Sequence, residues 1–251
     1  MPLESDAAYN REAVTKSERS AGGDIAAKEV KPARVIAIDG PGASGKSAVG
    51  ALVARRLGFR FLDTGVMYRA FTWFALEQGI DPGDEAALCR LAPQTKMAVS
   101  TDDPEPKGNS RVTVNGVDAT PYIVRPEVET SVSQVSRLPA VREAMVALQR
   151  AEARRGGIVV AGRDIGTVVL PDADLKVYLD ASPEERARRR HEQTRQRGET
   201  VSEASVLDEL ERRDATDSNR KTSPLRPAAD AVIVNTDGLS LEQVVEKILT
   251  L

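Results

Sequence analysis

A glycine-rich loop is the stretch whose residue types and spacing point most directly to chemistry. Residues 40–47 read GPGASGKS and match the pattern G-x-x-x-x-G-K-[ST], between a strand-like run, RVIAID, and a helix-like run, AVGALVARRLG. In this order of strand, loop and helix, successive backbone N–H groups surround a phosphate and the helix dipole adds to the attraction. The sequence therefore predicts a site for the phosphate chain of a nucleotide.

Two side chains of this loop are expected to do more than shape it. Lys46 would bridge the β- and γ-phosphates of a triphosphate donor as a catalytic residue, and the Ser47 hydroxyl would bind Mg²⁺. The other residues predicted to contact the donor phosphates are Gly40, Pro41, Gly42, Ala43, Ser44, Gly45 and Ala48. Asp39, directly before the loop, either supports the Mg²⁺ ion indirectly or simply ends the strand, and the sequence leaves both interpretations open.

Arginine side chains follow two of the predicted strands. LDTGVMYRA places Thr64, Tyr68 and Arg69 after the second strand, and GRDIG places Arg163 and Asp164 after the third. The carboxyl ends of parallel strands meet at one edge of a sheet, where ligands of open α/β folds bind. We therefore expect these side chains to lie beside the phosphate loop.

A further group of arginines lies in the charged region 182–220, which contains no lysine. Arginine is preferred where a planar fork must hold two phosphate oxygens at once, whereas a solvated helix uses lysine as readily. The arginines of this region are Arg186, Arg188, Arg189, Arg190, Arg195, Arg197, Arg212, Arg213 and Arg220. A solvated helix with surface salt bridges remains the alternative, for Arg188 and Arg190 in particular. RNA binding is a weaker alternative, because no aromatic residues are interleaved.

The arginine groups and the phosphate loop together indicate two anionic substrates, a triphosphate donor and a phosphorylated acceptor. A phosphate monoester is already a nucleophile, so catalysis reduces to aligning two anions that repel each other and stabilising the group in transfer. Such chemistry needs no general base, and the chain has a single histidine, His191. The residue types therefore favour a phosphoryl transferase.

Two other classes of nucleotide-binding protein fit less well. GTPases read their base with N-K-x-D, and NTDG at residues 235–238 lacks the lysine. Motor ATPases usually carry a strand that ends in an acidic pair, whereas VYLD ends in Asp180 alone. We interpret Asp180 as mainly structural, with a magnesium role as the alternative. The SPEE that follows predicts a helix capped by Ser182, with Glu185 completing a capping box.

Composition narrows the class of protein further. The 251 residues contain 35 Lys and Arg against 38 Asp and Glu, a net charge of −3, so no basic field points to nucleic acid or a membrane. One cysteine and one histidine provide neither a disulfide framework nor a Cys/His metal site. No apolar run reaches the roughly 18 residues of a membrane-spanning helix. We expect a soluble cytoplasmic protein.

Apolar runs alternate with helix-like runs from Val35 onward. VIAID, FRFLD, GIVVAG, LKVYLD and AVIVN lack polar alternation, as parallel strands buried on both faces do. The alternation predicts an α/β fold with a doubly wound, parallel five-stranded sheet. Residues 96–120 differ, because KMAVST and RVTVNGVDAT alternate in polarity and Asn115-Gly116 is a strong hairpin signal. A small antiparallel insert is expected there.

These motifs, in their order along the chain, resemble the bacterial cytidylate kinases, members of the nucleoside monophosphate kinase family with an adenylate kinase-like fold. The matching segments are IDGPGASGKS, LDTGVMYRA, AGRDIGTVVLPDADLKVYLDAS, EERARRR and ERRDATDSNR. GRD-x-GTVV-x-PDA and RD-x-x-D-x-x-R are markers of this subgroup. One residue departs from the family pattern, since Ala161 stands where an aspartate is familiar and removes a carboxylate near the phosphates.

The resemblance implies a division of the chain. Residues 1–33 have no apolar periodicity and are expected to be a disordered tail, and residues 34–251 are expected to be the kinase domain. Within it, the implied parts are a core (34–63, 131–184 and 198–251), a monophosphate-binding subdomain (64–130) that contains the antiparallel insert, and a short lid (185–197).

The resemblance also implies roles for individual residues. Those implied to hold the acceptor phosphate or ribose are Thr64, Tyr68, Arg69, Arg163, Arg213, Asp217 and Arg220. Those implied to read the cytosine base are Ser133, Arg142 and Asp164. Arg189, in the lid, is implied to close over the phosphate in transfer, and Arg163, Arg189 and Arg213 join Lys46 as catalytic residues.

The implied reaction moves the γ-phosphoryl group of ATP, with Mg²⁺, to CMP and dCMP in pyrimidine nucleotide metabolism. The resemblance implies a monomer, and neither nucleic acid nor membrane is an expected partner. Two alternatives remain. One is a kinase of the same fold for AMP, UMP, shikimate or dephospho-coenzyme A, and the other is a non-catalytic, nucleotide-gated RNA-binding protein.

Overall fold

The computed structural model describes residues 34–102, 110–196, 198, 200–220 and 222–251, so the predicted tail and Arg197 lie outside the described residues. The strands are β1 (Val35–Asp39), β2 (Arg60–Asp63), β3 (Met97–Val99), β4 (Val112–Val114), β5 (Val117–Asp118), β6 (Ile158–Ala161), β7 (Leu175–Asp180) and β8 (Val232–Asn235). The α-helices are α1 (Lys46–Leu57), α2 (Thr64–Glu77), α3 (Glu85–Leu91), α4 (Pro126–Ser136), α5 (Pro139–Ala153), α6 (Pro183–Gln196), α7 (Glu203–Ser218) and α8 (Leu241–Leu249). A 3₁₀ turn spans Ala92–Gln94, and a π-helical segment spans Ile165–Val169.

The main sheet has five strands in the order β2-β6-β1-β7-β8, and every neighbouring pair is parallel. The chain leaves β1 towards one side for β2 and later crosses to the other side for β7 and β8. The register pairs Ile38 with Ala161 and Asp63 with the same Ala161, so β1, β2 and β6 end at one edge. The predicted parallel sheet is confirmed, and its carboxyl edge is where an open α/β sheet binds ligands.

Helices bury the sheet on both faces. On β6, Val159 packs in a cluster with α1 and α8, whereas Val160 packs in a cluster with α2, α3 and α5. Phe61 and Phe71 fill the two clusters and are almost inaccessible to solvent. Burial on both faces explains why the strand sequences show no polar alternation.

The predicted antiparallel insert is also confirmed. β3, β4 and β5 form a three-stranded sheet in which Val114 pairs with Val117 across a two-residue turn. Both turn residues have positive φ, 49° for Asn115 and 84° for Gly116, as a type I′ turn requires. Val114 packs beside Trp73 of α2. The insert thereby supports the helix that contains Thr64, Tyr68 and Arg69.

Two local features differ from the sequence prediction. The helix predicted from the run SEASVLDELERRD, residues 202–214, begins at Glu203 and continues to Ser218, so Asp217 lies in its last turn. The Ser182 hydroxyl caps α6 by accepting the Glu185 N–H at 3.3 Å, but the predicted capping box is wrong. The Glu185 carboxylate accepts from two arginines of its own helix, and the Ser182 N–H donates to Asp237 at 3.0 Å. Among the helices of the described ranges, none combines the length and apolarity needed to cross a membrane.

The hairpin turn gives a test of the insert. Gly116→Ala should lower the free energy of unfolding by about 1 kcal/mol, because a Cβ disfavours the left-handed backbone at this position. Gly116→Asn should cost less, since asparagine tolerates that conformation. Urea denaturation of the two variants and the wild type measures both effects. Equal losses for alanine and asparagine would contradict the turn assignment.

Candidate active site

The phosphate loop joins the end of β1 to the start of α1. Three of its residues have positive φ, 151° for Gly40, 58° for Ala43 and 90° for Gly45, and no side chain caps the first turn of α1. Lys46 curls back over the loop, where its Nζ donates to the Pro41 carbonyl at 2.5 Å and to Ser44 Oγ at 3.2 Å. Burial, and then the neighbouring Arg163, hold the pKa of Lys46 well below its usual value. A bound anion would reverse that effect.

Asp63 is a site residue that the sequence interpretation missed. The Ser47 hydroxyl donates to its Oδ2 at 2.6 Å, and its Oδ1 caps α2 by accepting the Gly65 N–H at 2.8 Å. Arg69 lies 4.0 Å from the same carboxylate. The only signal in the sequence was its place at the end of a strand, directly before the acceptor motif. A hydroxyl and a carboxylate oxygen side by side are ligand types that Mg²⁺ prefers, so the residues present fit the ion.

A buried ion pair holds Gly42 of the loop from outside. The Gly42 N–H donates to Asp214 Oδ1 at 3.3 Å, and Arg186 Nη1 donates to the Gly42 carbonyl at 3.2 Å. Arg186 and Asp214 are themselves paired, and Arg186 is buried on α6. The sequence interpretation missed Asp214, whose carboxylate accepts the Gly42 N–H. α6 and α7 thereby fix the shape of the loop.

Asp217 connects the phosphate loop to the acceptor motifs. Its carboxylate accepts from Arg163 Nε at 2.8 Å and from Arg220, and Arg163 Nη1 donates to the Gly40 carbonyl at 3.2 Å. Burial alone would raise the pKa of Asp217, but Arg163 and Arg220 outweigh burial and lower it. Arg163 therefore contacts both the phosphate loop and the acceptor cluster, which is the group of Asp217, Arg220, Arg142 and Asp164 expected from the sequence to bind the acceptor.

The three residues Arg220, Arg142 and Asp164 form the far side of this cluster. Arg220 Nη2 donates to Ser136 Oγ at 3.1 Å, and Arg142 Nη1 donates to the Ser136 carbonyl at 3.3 Å. Arg142 also pairs with Asp164, and both side chains are buried. The Arg142 guanidinium lies 5.5 Å from the ring centre of Tyr68. Ser136, which links these arginines, is a further residue that the sequence interpretation missed.

Arg213 is a partly buried cation for which the described residues provide no ion pair within 4.0 Å, although Asp217 is near enough to raise its pKa. Its Nε has no hydrogen-bond partner in the described part of the chain, and burial, then the nearby Arg163, lower its pKa to about 10. Lys46 is perturbed in the same direction for the same reasons. Buried cations that depress one another's pKa values make a site that favours a polyanion.

Other predicted site residues lie at the edge of this arrangement. The Thr64 hydroxyl donates to the Ala161 carbonyl at 2.9 Å, and Ser133 is half-buried on α4, one turn before Ser136. Arg189 donates to Glu185 at 2.8 Å and to the Thr236 carbonyl at 2.7 Å. The Arg189 guanidinium is therefore hydrogen-bonded beside the end of β8. A contact between Arg189 and the phosphate in transfer stays a prediction.

The alternative, that Arg188 and Arg190 are solvated residues of a helix surface, holds for Arg188 but not for Arg190. Arg188 is 61% exposed and pairs with Glu185 one turn away. Arg190 instead pairs with Glu129 on α4, and both side chains are partly buried. The pair joins the arginine-rich helix α6 to the helix that carries Ser133.

Comparison with known proteins gives a consistent result. The family model described as cytidylate kinase matches residues 36–251. The chain is 49% identical over 214 residues to a cytidylate kinase of Pelotomaculum thermopropionicum, covering 85% of this chain and 93% of the relative. It is 50% identical over 214 residues to that of Geobacillus kaustophilus (85% and 94% covered) and 47% identical over 216 residues to that of Desulfitobacterium hafniense (86% and 91% covered).

The Arg186–Asp214 ion pair, which binds both the N–H and the carbonyl of Gly42, forms a clamp on this residue and gives a stability prediction. Asp214→Ala should lower the free energy of unfolding by about 3 kcal/mol, because it leaves the buried Arg186 guanidinium unpaired. Glu192→Ala is the control, since Glu192 pairs with an exposed arginine, 70% accessible, and such pairs contribute less than about 1 kcal/mol. Urea denaturation measures both. A loss for Asp214→Ala no larger than that of the control would contradict the clamp.

Proposed function

Because the chain belongs to the cytidylate kinase family, we propose that it transfers the γ-phosphoryl group of ATP to CMP, and also to dCMP. The observation that carries the proposal is the double contact of Arg163, which bonds the Gly40 carbonyl in the donor loop and Asp217 in the acceptor cluster. One guanidinium thus lies between two anion sites. Transfer between two phosphates needs a cation at that place.

The acceptor phosphate is proposed to bind the cations around Arg213. Arg213 has a buried Nε without a partner in the described part of the chain, and Arg69, in the second turn of α2, lies near it and beside Asp63. Arg163 and Arg220 both donate to Asp217, and their other N–H groups are proposed to turn to the phosphate when it binds. The Asp217 carboxylate would accept from ribose hydroxyls. Thr64 and Tyr68 complete the acceptor residues.

The base is proposed to be read by Asp164, Arg142 and Ser133. Cytosine presents an amino group beside ring acceptors, so its reader needs an acceptor and a donor side by side. Asp164 only accepts and Arg142 only donates, and the two already contact each other. Uracil puts a carbonyl where cytosine has the amino group, so the Asp164 carboxylate would face an oxygen.

The donor phosphates are proposed to lie along residues 40–48, against the backbone N–H groups of the loop and the start of α1. Ser47, with Asp63 behind it, would hold the Mg²⁺ ion that accompanies ATP, and the ion would neutralise phosphate charge. Lys46 stabilises the charge of the γ-phosphoryl group as it moves. An oxygen of the acceptor phosphate forms a bond to the γ-phosphorus, and the bond to the oxygen shared with the β-phosphate breaks.

The lid and the subdomains are part of the proposal. Residues 185–197 are proposed to close over the substrates, with Arg189 leaving Thr236 for the γ-phosphoryl group, while residues 64–130 bind the monophosphate. Closure would exclude water, which otherwise competes as the acceptor. We also propose a cytoplasmic monomer. The other acceptors and the RNA-binding alternative are not favoured, because Asp164 and Arg142 match cytosine and a family match covers most of the chain.

Lys46 gives the first test of this function. Lys46→Ala should lower kcat by about 10²-fold or more, because the lost charge matters most in the transition state. The fold should not lose stability, since the buried lysine is held at an unfavourable pKa. A coupled ADP-release assay and a urea titration measure the two effects. The control is Lys176→Met, which alters another buried lysine, paired with Asp230, and should keep kcat near the wild-type value.

Base reading gives the second test. The wild type should prefer CMP over UMP by about tenfold or more in kcat/KM, because UMP leaves a buried carboxylate facing a carbonyl. Asp164→Ala should shrink this ratio mainly by slowing CMP turnover. The ADP-release assay with both nucleotides measures it. An equal loss for CMP and UMP would mean that Asp164 serves the sugar, the phosphates or the fold.

A further inference from the structure

Asp39, the last residue of β1, reaches across to the segment that follows β6. Its Oδ1 accepts the Ile165 N–H and its Oδ2 accepts the Gly166 N–H, both at 2.7 Å. The side chain is only 3% exposed. The sequence left open whether Asp39 supports Mg²⁺ or merely ends the strand. In the structure both carboxylate oxygens instead accept hydrogen bonds from backbone N–H groups of the GRDIG motif.

The N–H groups that Asp39 binds belong to the start of a helical segment. Residues 165–169 form a π-helical turn, and the first N–H groups of any helix have no partner within the helix. A residue directly before the helix usually supplies the cap, and aspartate is among the residue types that do so best. Asp164 occupies that position, yet its side chain makes no capping bond and pairs with Arg142.

Asp39 and Lys176 together leave little room for a side chain at position 166. A Cβ on Gly166 would lie 3.3 Å from Asp39 Oδ2 and 3.1 Å from the Lys176 side chain. Burial, partly offset by the two N–H groups, raises the pKa of Asp39 to about 6. A carboxyl whose pKa is raised by folding stabilises the fold at low pH, and this contribution is lost as the pH rises through about 6.

We propose that Asp39 is a positioning residue for recognition of the base. It caps the 165–169 segment in place of Asp164, so that the Asp164 carboxylate stays turned towards Arg142 and the nucleobase. Without Asp39, the residue at the usual capping position is Asp164, and its carboxylate cannot cap the segment and face the base together. The inference rests on the proposed role of Asp164 as the reader of the cytosine amino group.

Asp39→Asn tests the inference, because the variant keeps the shape of the side chain but turns one acceptor into a donor. The ratio of kcat/KM for CMP to that for UMP should fall by roughly fivefold or more, as expected when a buried polar contact is lost. The KM for ATP should change far less than the ratio. A merely structural role would lower the turnover of both nucleotides and leave the ratio intact, which would overturn the inference.

A double-mutant cycle shows whether Asp39 acts through Asp164. In the Asp164→Ala background, Asp39→Asn should cause no further fall in the CMP to UMP ratio, because the group that it positions is already gone. A further fall equal to that in the wild type would contradict the inference. The matched control is Asp174→Asn, which alters a carboxylate that lies directly before β7 and contacts the opposite end of β1. Asp174 also accepts a backbone N–H, that of Val35 at 2.6 Å, and its loss should leave the ratio unchanged.

The Asp39 and Asp164 variants together distinguish an error in the proposed role of Asp164 from an error in the proposed role of Asp39. If Asp164→Ala leaves the CMP to UMP ratio unchanged, the proposed base reader is wrong and the inference falls with it. If Asp164→Ala changes the ratio and Asp39→Asn does not, only the inference is wrong. Should Asp39→Asn fail to fold, Asp39→Ser and amide hydrogen exchange of the wild type take its place. Slow exchange at Ile165 and Gly166 is expected, and fast exchange at both would overturn the capping contact.

Discussion

Repulsion between buried cations at the end of β1 is the constraint on which the rest of the site depends. Burial lowers the pKa values of Lys46 and Arg213, and the neighbouring Arg163 lowers both further because little water is present to screen the charges. Such an arrangement persists only if the surrounding structure holds it in place. The neighbouring aspartates and the packed helices do so.

Each aspartate around the site holds one part of it. Asp63 ties Ser47 to the start of α2, Asp217 holds Arg163 and Arg220, and Asp214 with Arg186 fixes Gly42. These carboxylates reduce the repulsion between the cations without cancelling it. Each of them also orients a hydroxyl, a guanidinium or a peptide group. As a result, the side chains around the phosphate loop are preorganised for an anion.

The fold could be predicted from the sequence wherever a local pattern has one physical meaning. Strands without polar alternation had to be buried on both faces, the Asn115-Gly116 turn allowed few backbone conformations, and the phosphate loop needed a strand before it and a helix after it. These elements are all present. The sheet order then brought together motifs more than 100 residues apart, because the carboxyl ends of parallel strands share an edge.

The parts that could not be predicted depend on competition between side chains. Glu185 had the correct spacing for a capping box, but two arginines on its own helix compete for the same carboxylate. Asp39 and Asp63 both end a strand, and nothing in their neighbours shows that one binds backbone N–H groups and the other a hydroxyl. A carboxylate in a sequence has many possible partners, and only the fold selects among them.

The clamp on Gly42 has a consequence for the order in which the protein is made. Gly42 and Asp214, which the clamp joins, are 172 positions apart along the chain. Since chains are synthesised from the amino terminus and distant contacts form late, the phosphate loop emerges from the ribosome long before the helices that fix its shape. A nascent chain would contain the complete loop motif and still lack its supports. Tight nucleotide binding would then appear only after α7 has docked, near the end of synthesis.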